Sequence, residues 1–417
     1  MDLECDVLVV GAGPAGSSAA RTCALNGLKT VLIDKRQEIG YPVRCAEGIG
    51  QYLFPFMPFR IPKEQLIWRI KGMEFWAEDI TIRRTGIMWS GYTLNRRNFD
   101  KWLTSLAENA GAQVMTNTEL TEFEYGDKYV VEKAIMNSSG KQIEIKPKIV
   151  VGADGYDSTV LKLLGEYNPE KGAIGEVYSW EMKDMDLVSP DYEQVYVGDF
   201  TATGYAYVFP VSKDRANVGV GCASPKRPME EYFNEFLEIP EMKHQVKNAQ
   251  KIEDKSGKAN ILKICDKWVY GNVLLAGDAA DQNFKPFVEG ILPAIICGDI
   301  AGKAAVNNIK KQKPLQDYPL ETYKKMGSLF RQSDKSAKTI YELFEMNQSK
   351  EYLLLLLLLA DVSTADRIND FKDKDYNTLR DTILEWNNWH KQTIANVQER
   401  IWYDYVELRE KVNEIWK

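Results

Sequence analysis

Three glycines at fixed spacing, Gly11, Gly13 and Gly16, are the first residues in the chain that could do chemistry. They sit in Gly11-Ala12-Gly13-Pro14-Ala15-Gly16, between the apolar run Val7 to Val10 and a stretch rich in Ala and Ser. At this spacing the first glycine permits a tight turn and the second lets backbone approach a pyrophosphate. The third lets the following helix pack close to the strand. The helix tip then presents unpaired N–H groups and partial positive charge to phosphates. Asp34 ends the next apolar run, about 20 residues on, where a carboxylate accepts hydrogen bonds from ribose hydroxyls. Ala15 and Lys35 complete this first set of candidate cofactor contacts. Two more acid–glycine turns follow apolar runs. Gly152-Ala153-Asp154-Gly155 comes after Ile149 to Val151, and Gly277-Asp278 after Val269 to Ala276. A carboxylate at the C-terminal end of a strand can bind a sugar hydroxyl.

A second group of residues has the character of an apolar pocket. Tyr205, Tyr207 and Phe209 alternate along one strand and so share a face. Gly219 and Gly221 share a face on the next strand and remove side chains there, which together predicts a smooth slot for an apolar chain. Cys45 lies in an irregular loop beside Arg44, a candidate cation for lowering its thiol pKa.

The elements that must position these residues follow from periodicity. Residues 4–10 are a buried strand, 14–27 a helix stopped at Asn26-Gly27, and Thr30 to Ile33 a second strand, which makes a βαβ unit. Residues 41–95 are irregular and aromatic, with Pro42, Pro55, Pro58 and Pro62, and read as an excursion. Asn98 to Ala110 reads as a helix, and 112–150 as strands. Stretches 176–183, 192–199, 204–211 and 215–223 alternate as an antiparallel sheet, 228–250 and about 290 onward are helical, and everything after 316 is helical. The fold class is therefore α/β (α+β overall). A Rossmann-like domain spans 1–165 and 265–310 with its excursion at 41–95, an antiparallel-sheet substrate domain spans 166–264, and a helical C-terminal domain spans 311–417.

Composition narrows the partners. A net charge of -7 disfavours nucleic acid. The six cysteines are scattered with no CxxC and the two histidines, His244 and His390, have no ligand-like neighbours, so no metal site is expected. The first apolar run follows acidic residues and leads into glycines, unlike a secretory leader. No apolar run reaches the ~20 residues of a spanning helix. The leucine run Leu353 to Leu359 reads foremost as a buried helix, with tunnel lining or a membrane-facing surface as the other readings.

The three glycine–acid motifs resemble the FAD-binding pattern of the para-hydroxybenzoate-hydroxylase-like flavoprotein superfamily. The resemblance implies FAD as cofactor, with the region of Asp154 and Gly155 near the flavin and Asp278 on the ribityl chain. Asn95-Arg96-Arg97-Asn98-Phe99-Asp100 resembles that family's helix start, where the arginine matching Arg96 contacts FAD. The segment after Lys285-Pro286 implies a helix N-terminus at Gly290 and Ile291 against the flavin pyrimidine. A helix dipole there favours negative charge on the reduced ring. Glu289-Gly290 stands where many relatives have two glycines.

Tyr41-Pro42-Val43-Arg44-Cys45-Ala46-Glu47-Gly48-Ile49 resembles the matching segment of the archaeal geranylgeranyl reductases, the digeranylgeranylglycerophospholipid-reductase-like branch. Gly204 to Pro210 with Gly219-Val220-Gly221 resembles their Tyr-x-Trp-x-Phe-Pro…Gly-x-Gly motif, with Tyr207 where tryptophan is usual. The likeness covers residues 5–305. It implies hydride transfer from reduced FAD to the C=C bonds of prenyl chains on membrane-lipid precursors. Arg44, Cys45 and Ala46 would lie at the flavin, Cys45, Tyr205 and Tyr207 would be catalytic, and Tyr205, Tyr207, Phe209, Gly219 and Gly221 would hold substrate. Ferredoxin or a reduced nicotinamide would supply electrons. Such an enzyme is expected in the cytoplasm, meeting the inner membrane face peripherally through Tyr52 to Phe59 or the leucine run.

The main rival is an FAD-dependent monooxygenase of an aromatic or polyketide, which shares all three motifs. A flavin halogenase lacks support in the tryptophans it would need. An electron-transfer flavoprotein–quinone oxidoreductase would need clustered cysteines, and none follow Cys297. A prenyl-lipid binding protein with structural FAD is the non-enzymatic alternative.

Overall fold

The computed structural model describes residues 2–170, 173–201, 204–344, 351–360 and 368–387. They fall into two compact units. The first comprises Met1–Val43, Asn95–Ile174 and Lys258–Arg331, the second Arg44–Leu94, Gly175–Gly257 and Gln332–Lys417.

The first unit is built on parallel strands in the spatial order Val273–Leu275, Lys141–Gly152, Asp2–Val10, Thr30–Ile33, Gln113–Met115. The ends Val7 to Val10, Thr30 to Ile33, Ile149 to Gly152 and Val273 to Leu275 are buried on both faces, as a sheet covered on both sides requires. Leu8, Val31, Ile33 and Val150 are fully buried in one core. The strands end in register. Val10 lies opposite Ile33 and Gly152, and Gly152 opposite Leu275. All the glycine–acid turns therefore leave the sheet at its C-terminal edge, where α/β folds place ligands. A hairpin, Thr118–Tyr125 with Val131–Ser138, extends the sheet in antiparallel fashion.

The helix Pro14–Leu25 packs along Ile291–Lys311. Small residues set the approach. A side chain at Gly302 would lie 2.8 Å from the Ala19 carbonyl, and one at Gly298 would run into the Ala15 carbonyl. Ser18 donates to the Ile295 carbonyl at 2.7 Å and Thr22 to Asp299 at 2.7 Å. These bonds satisfy polar groups buried between two helices.

The second unit has a mixed sheet in the order Gln250–Asp254, Ile174–Lys183, Ala216–Cys222, Gly204–Pro210, Tyr192–Val197, Gly72–Ala77, Ile80–Thr85. The antiparallel stretches read from the sequence are all present. The excursion at 41–95, read as irregular, is instead rich in strands. Gly72–Ala77 and Ile80–Thr85 form a hairpin, and Gly72–Ala77 joins Tyr192–Val197 in parallel. Gly48–Gly50, Gly91–Thr93 and Trp68–Ile70 form a small sheet of their own. Three-residue strands broken by prolines carry too little periodicity to be read locally.

The helix Met229–Glu238 lays Phe233 and Phe236 on a core with Tyr196, Val208, Val218 and Val220. The leucine run forms the helix Glu351–Ala360, packed on strands Gly72–Ala77, Ile80–Thr85 and Tyr192–Val197. Every leucine from 353 to 359 is buried, so this is a core helix and not a membrane-facing one. Arg84 donates to the Ala360 carbonyl at 3.1 Å, capping its C-terminus. Among the described residues no helix is long and apolar enough to cross a membrane.

Candidate functional site

The first unit holds a cradle at the sheet edge. Gly11 adopts φ +99°, and a side chain there would run into the Ala153 carbonyl. A side chain at Gly16 would run into the Gly11 carbonyl, while at Gly13 it would meet nothing. The helix Pro14–Leu25 starts with Gly13 as N-cap, no side-chain cap and no acid in its first turn. Its first turn therefore offers N–H groups with no side-chain cap, the arrangement that receives a phosphate. Ala15 meets Gly277, where a Cβ would sit 2.9 Å from its own, so Ala15 and Gly277 act in packing. Gly277 also adopts φ +70°, which glycine takes without strain.

Asp34 is buried and accepts the Ala12 N–H at 2.8 Å. Arg36 binds both its oxygens, Nε at 2.9 Å and Nη2 at 2.7 Å. Burial alone would raise its pKa, but Arg36 and the two backbone donors hold it below the ordinary carboxylate value. A ribose hydroxyl reaching Asp34 would share it with Arg36. Lys35, the neighbour singled out in the sequence, is exposed, and Arg36 is the residue reasoning missed. The alternation along the strand end could have shown it, since 34 and 36 fall on one side.

Asp154 uses its carboxylate within the protein. Its Oδ1 accepts the Ser158 hydroxyl at 2.7 Å and its Oδ2 the Val160 N–H at 3.0 Å. Burial pushes its pKa up, against those bonds. Its side chain thus organises the start of the helix Thr159–Leu164, while its backbone lines the Gly11 turn. Gly155, at φ +84°, leaves open space in front of it.

Asp278 is pushed up by burial, opposed by Asn283, Lys285 and Arg96. Asn283 donates to its Oδ1 at 3.2 Å, and a Cβ at Gly290 would lie 3.2 Å from the same oxygen. Arg96 opens the helix Arg96–Asn109 and pairs bidentately with Asp100 at 2.9 Å through each nitrogen. Gly290 is the N-cap of Ile291–Lys311, again with no side-chain cap and no acid in the first turn. Backbone bonds between Phe284 and Glu289, both 2.9 Å, pinch the loop before it, with Val288 at φ +55°. A β-branched residue there is strained, and such strain collects at binding sites. The Asn283 Oδ1 is buried without a hydrogen-bond partner. Two uncapped helix tips, an orphaned acceptor and carboxylates at strand ends fit a flavin dinucleotide, whose pyrophosphate, hydroxyls and ring N–H match them in kind.

The second unit holds the aromatic wall. Tyr205 and Tyr207 lie with ring centroids 6.3 Å apart, and Tyr207 and Phe209 4.9 Å apart. Tyr205 stands opposite Gly221 and Tyr207 opposite Gly219. The expected slot is only half open. A Cβ at Gly219 would lie 2.5 Å from the Tyr207 ring, so this glycine makes room for the tyrosine itself. At Gly221 nothing lies closer than 3.9 Å. Burial pushes both phenols far up, and Cys45 adds to the effect at Tyr207. Both tyrosines stay neutral.

Cys45 is half-buried, whereas the other five cysteines are buried. Its Sγ accepts the Glu47 N–H at 3.2 Å. Arg44 precedes the cysteine in the same loop. Its guanidinium is committed to Asp254 at 3.1 Å and the Ser256 carbonyl at 2.6 Å. Ala46 gives its carbonyl to Asn217 at 2.9 Å.

Two family models, each described as an FAD binding domain, match residues 73–284 and 6–57. A digeranylgeranylglycerophospholipid reductase of Methanococcus aeolicus is 36% identical over 92% of both chains. One of Methanosarcina acetivorans is 36% identical over 77% of this chain and 79% of its own. Among solved structures, a geranylgeranyl bacteriochlorophyll reductase-like protein of Thermoplasma acidophilum superposes with a TM-score of 0.76 at 26% identity, covering 89% of this chain and all of that one.

Proposed function

We propose a mechanism from one premise: the chain belongs to the digeranylgeranylglycerophospholipid reductase family. It is an FAD-dependent oxidoreductase that saturates the C=C bonds of geranylgeranyl chains on a phospholipid precursor. FAD, when bound and reduced, supplies the hydride; the other alkene carbon needs a proton. The turn Gly11 to Gly16 and the tip of Pro14–Leu25 would hold the pyrophosphate, with Asp34 and Asp278 on hydroxyls. The tip of Ile291–Lys311 would favour negative charge on the reduced ring. In our reading Tyr205, Tyr207 and Phe209 orient the isoprenoid chain and exclude water, and the Cys45 thiol holds the proton at Sγ.

The observation that carries this reading is the identity across nearly the whole of both chains, together with an uncapped helix tip at the glycine turn. The purified protein is expected to be yellow. Reduced anaerobically with dithionite, it is expected to add hydrogen pairs to a digeranylgeranylglycerol lipid, read by mass spectrometry. In cells ferredoxin or a reduced nicotinamide would replace dithionite. Prenyl lipids left unsaturated, with a phenol instead driving oxygen-dependent turnover, would mean a monooxygenase.

The substrate is a membrane lipid, and we propose that the enzyme meets the bilayer surface through the half-buried aromatics Tyr52, Phe54 and Phe56. Gln51 bonds the Ser90 carbonyl at 3.0 Å, which brings this stretch near Met88, 54% exposed. Replacing Phe56 and Met88 together by serine is expected to weaken co-sedimentation with phospholipid vesicles at least ~10-fold. Unchanged sedimentation would move the contact elsewhere.

A further inference from the structure

Behind the cysteine loop lies a buried charged cluster for which the reaction as described has no use. Lys255 is 3% exposed and faces three carboxylates: Glu253 at 2.9 Å, Glu47 at 3.4 Å and Glu181 at 3.5 Å. Arg215 takes the other oxygen of Glu181. A dehydrated ammonium is tolerated only when paired in this way. Burial pulls its pKa down, the carboxylates outweigh that, and Lys255 stays charged.

The cluster acts on a strained turn. Glu47 has φ +70°, a conformation costing about 1 kcal/mol or more for a residue with a side chain. It keeps that conformation because its carboxylate is held from two sides, by Lys255 and by Asn217 at 3.0 Å. Asn217 also holds the Ala46 carbonyl at 2.9 Å, and Arg44 is fastened to Asp254 and Ser256. Held this way, the Glu47 amide points its N–H at Cys45 Sγ, 3.2 Å away. A hydrogen bond from a fixed amide restrains where the sulfur points.

We propose that Lys255 and Asn217 are positioning residues that keep Glu47 in its left-handed turn, so that its N–H orients and tunes the Cys45 thiol. The catalytic consequence rests on the reading of Cys45 as proton donor, but the thiol chemistry does not. The charged and titratable groups about the thiol are Arg44 and Glu47 on its own loop and Tyr207 on the aromatic strand. Lys255, Asp254, Glu253 and Glu181 stand behind them.

The test is the pH profile of iodoacetamide alkylation of the holoenzyme, followed on the Cys45 peptide by mass spectrometry. Lys255→Met and Asn217→Leu are each expected to slow alkylation at neutral pH by about tenfold and shift the profile upward. Glu47→Ala, which keeps the cation but favours a relaxed turn, should do the same. Glu47→Gly takes the left-handed turn without strain and needs no clamp, so it should keep the wild-type profile. Glu47→Gly/Lys255→Met should recover what Lys255→Met loses. Should Lys255→Met fail to fold, the Glu47→Ala and Glu47→Gly pair decides alone. Identical profiles for that pair, or no recovery in the double variant, would overturn the proposal. If the profiles move as expected while Cys45→Ser saturates prenyl chains at full rate, positioning stands and the proton-donor reading falls.

Discussion

Gly13→Asp is expected to give a folded but colourless protein. A side chain at this position meets nothing within 4 Å and the residue is the N-cap of Pro14–Leu25, where aspartate is itself a favoured cap. Folding should therefore be unharmed or slightly helped. The same carboxylate would lie where a pyrophosphate must approach, at a tip whose first turn holds no acid. Juxtaposed like charges cost several kcal/mol, and about 3 kcal/mol corresponds to roughly a 100-fold loss of FAD affinity. Fluorescence titration of FAD into apoprotein would measure it, with circular dichroism as the check on folding. Gly16→Ala is the contrast. Its Cβ would run into the Gly11 carbonyl, so that variant should lose the fold together with the flavin. A yellow Gly13→Asp protein would show that the pyrophosphate does not sit at this helix tip.

How much of this was legible in the sequence depended on whether the deciding contact was local. The cradle was legible because each motif follows its own strand, and parallel strands in register bring the motif ends to one edge. FAD followed from the likeness of those motifs to a flavoprotein pattern, and the reductase family from the segments Tyr41 to Ile49 and Gly204 to Pro210 with Gly219 to Gly221; the comparisons agree with both. What resisted reading was set by distant partners. Nothing near Gly72 announces that its strand will pair in parallel with Tyr192–Val197. Asp154 is the local exception: its partners Ser158 and Val160 lie just downstream, but at the start of a helix too short to show periodicity. Glu47 and Lys255 are 208 residues apart, and neither alone signals an ion pair. One clue was local and went unused: Asn217 is the single amide in the apolar strand Ala216–Cys222.

Gly219 is where the aromatic wall can be tested without disturbing the cofactor cradle. A Cβ there would stand 2.5 Å from the Tyr207 ring and 2.8 Å from the Ser179 Cβ, far inside contact distance. The ring cannot simply move aside, because Phe209 lies 4.9 Å from it and Tyr205 6.3 Å. Gly219→Val is therefore expected to displace Tyr207. A displacement of about 1 Å at a reacting centre can cost on the order of 100-fold in rate, so kcat for prenyl saturation should fall by that much. FAD affinity and reduction by dithionite should not change, since none of the glycine–acid motifs is touched. The double variant Gly219→Val/Tyr207→Ala removes the clashing ring and should lose less than the two single losses combined, the non-additivity of residues in contact. If Gly219→Val turns over at the wild-type rate, Tyr207 has no part in aligning the chain. If its loss of rate follows loss of flavin, the damage is to the fold and the wall has not been tested by it; Tyr207→Ala alone, with flavin intact, then decides by the same rate measurement.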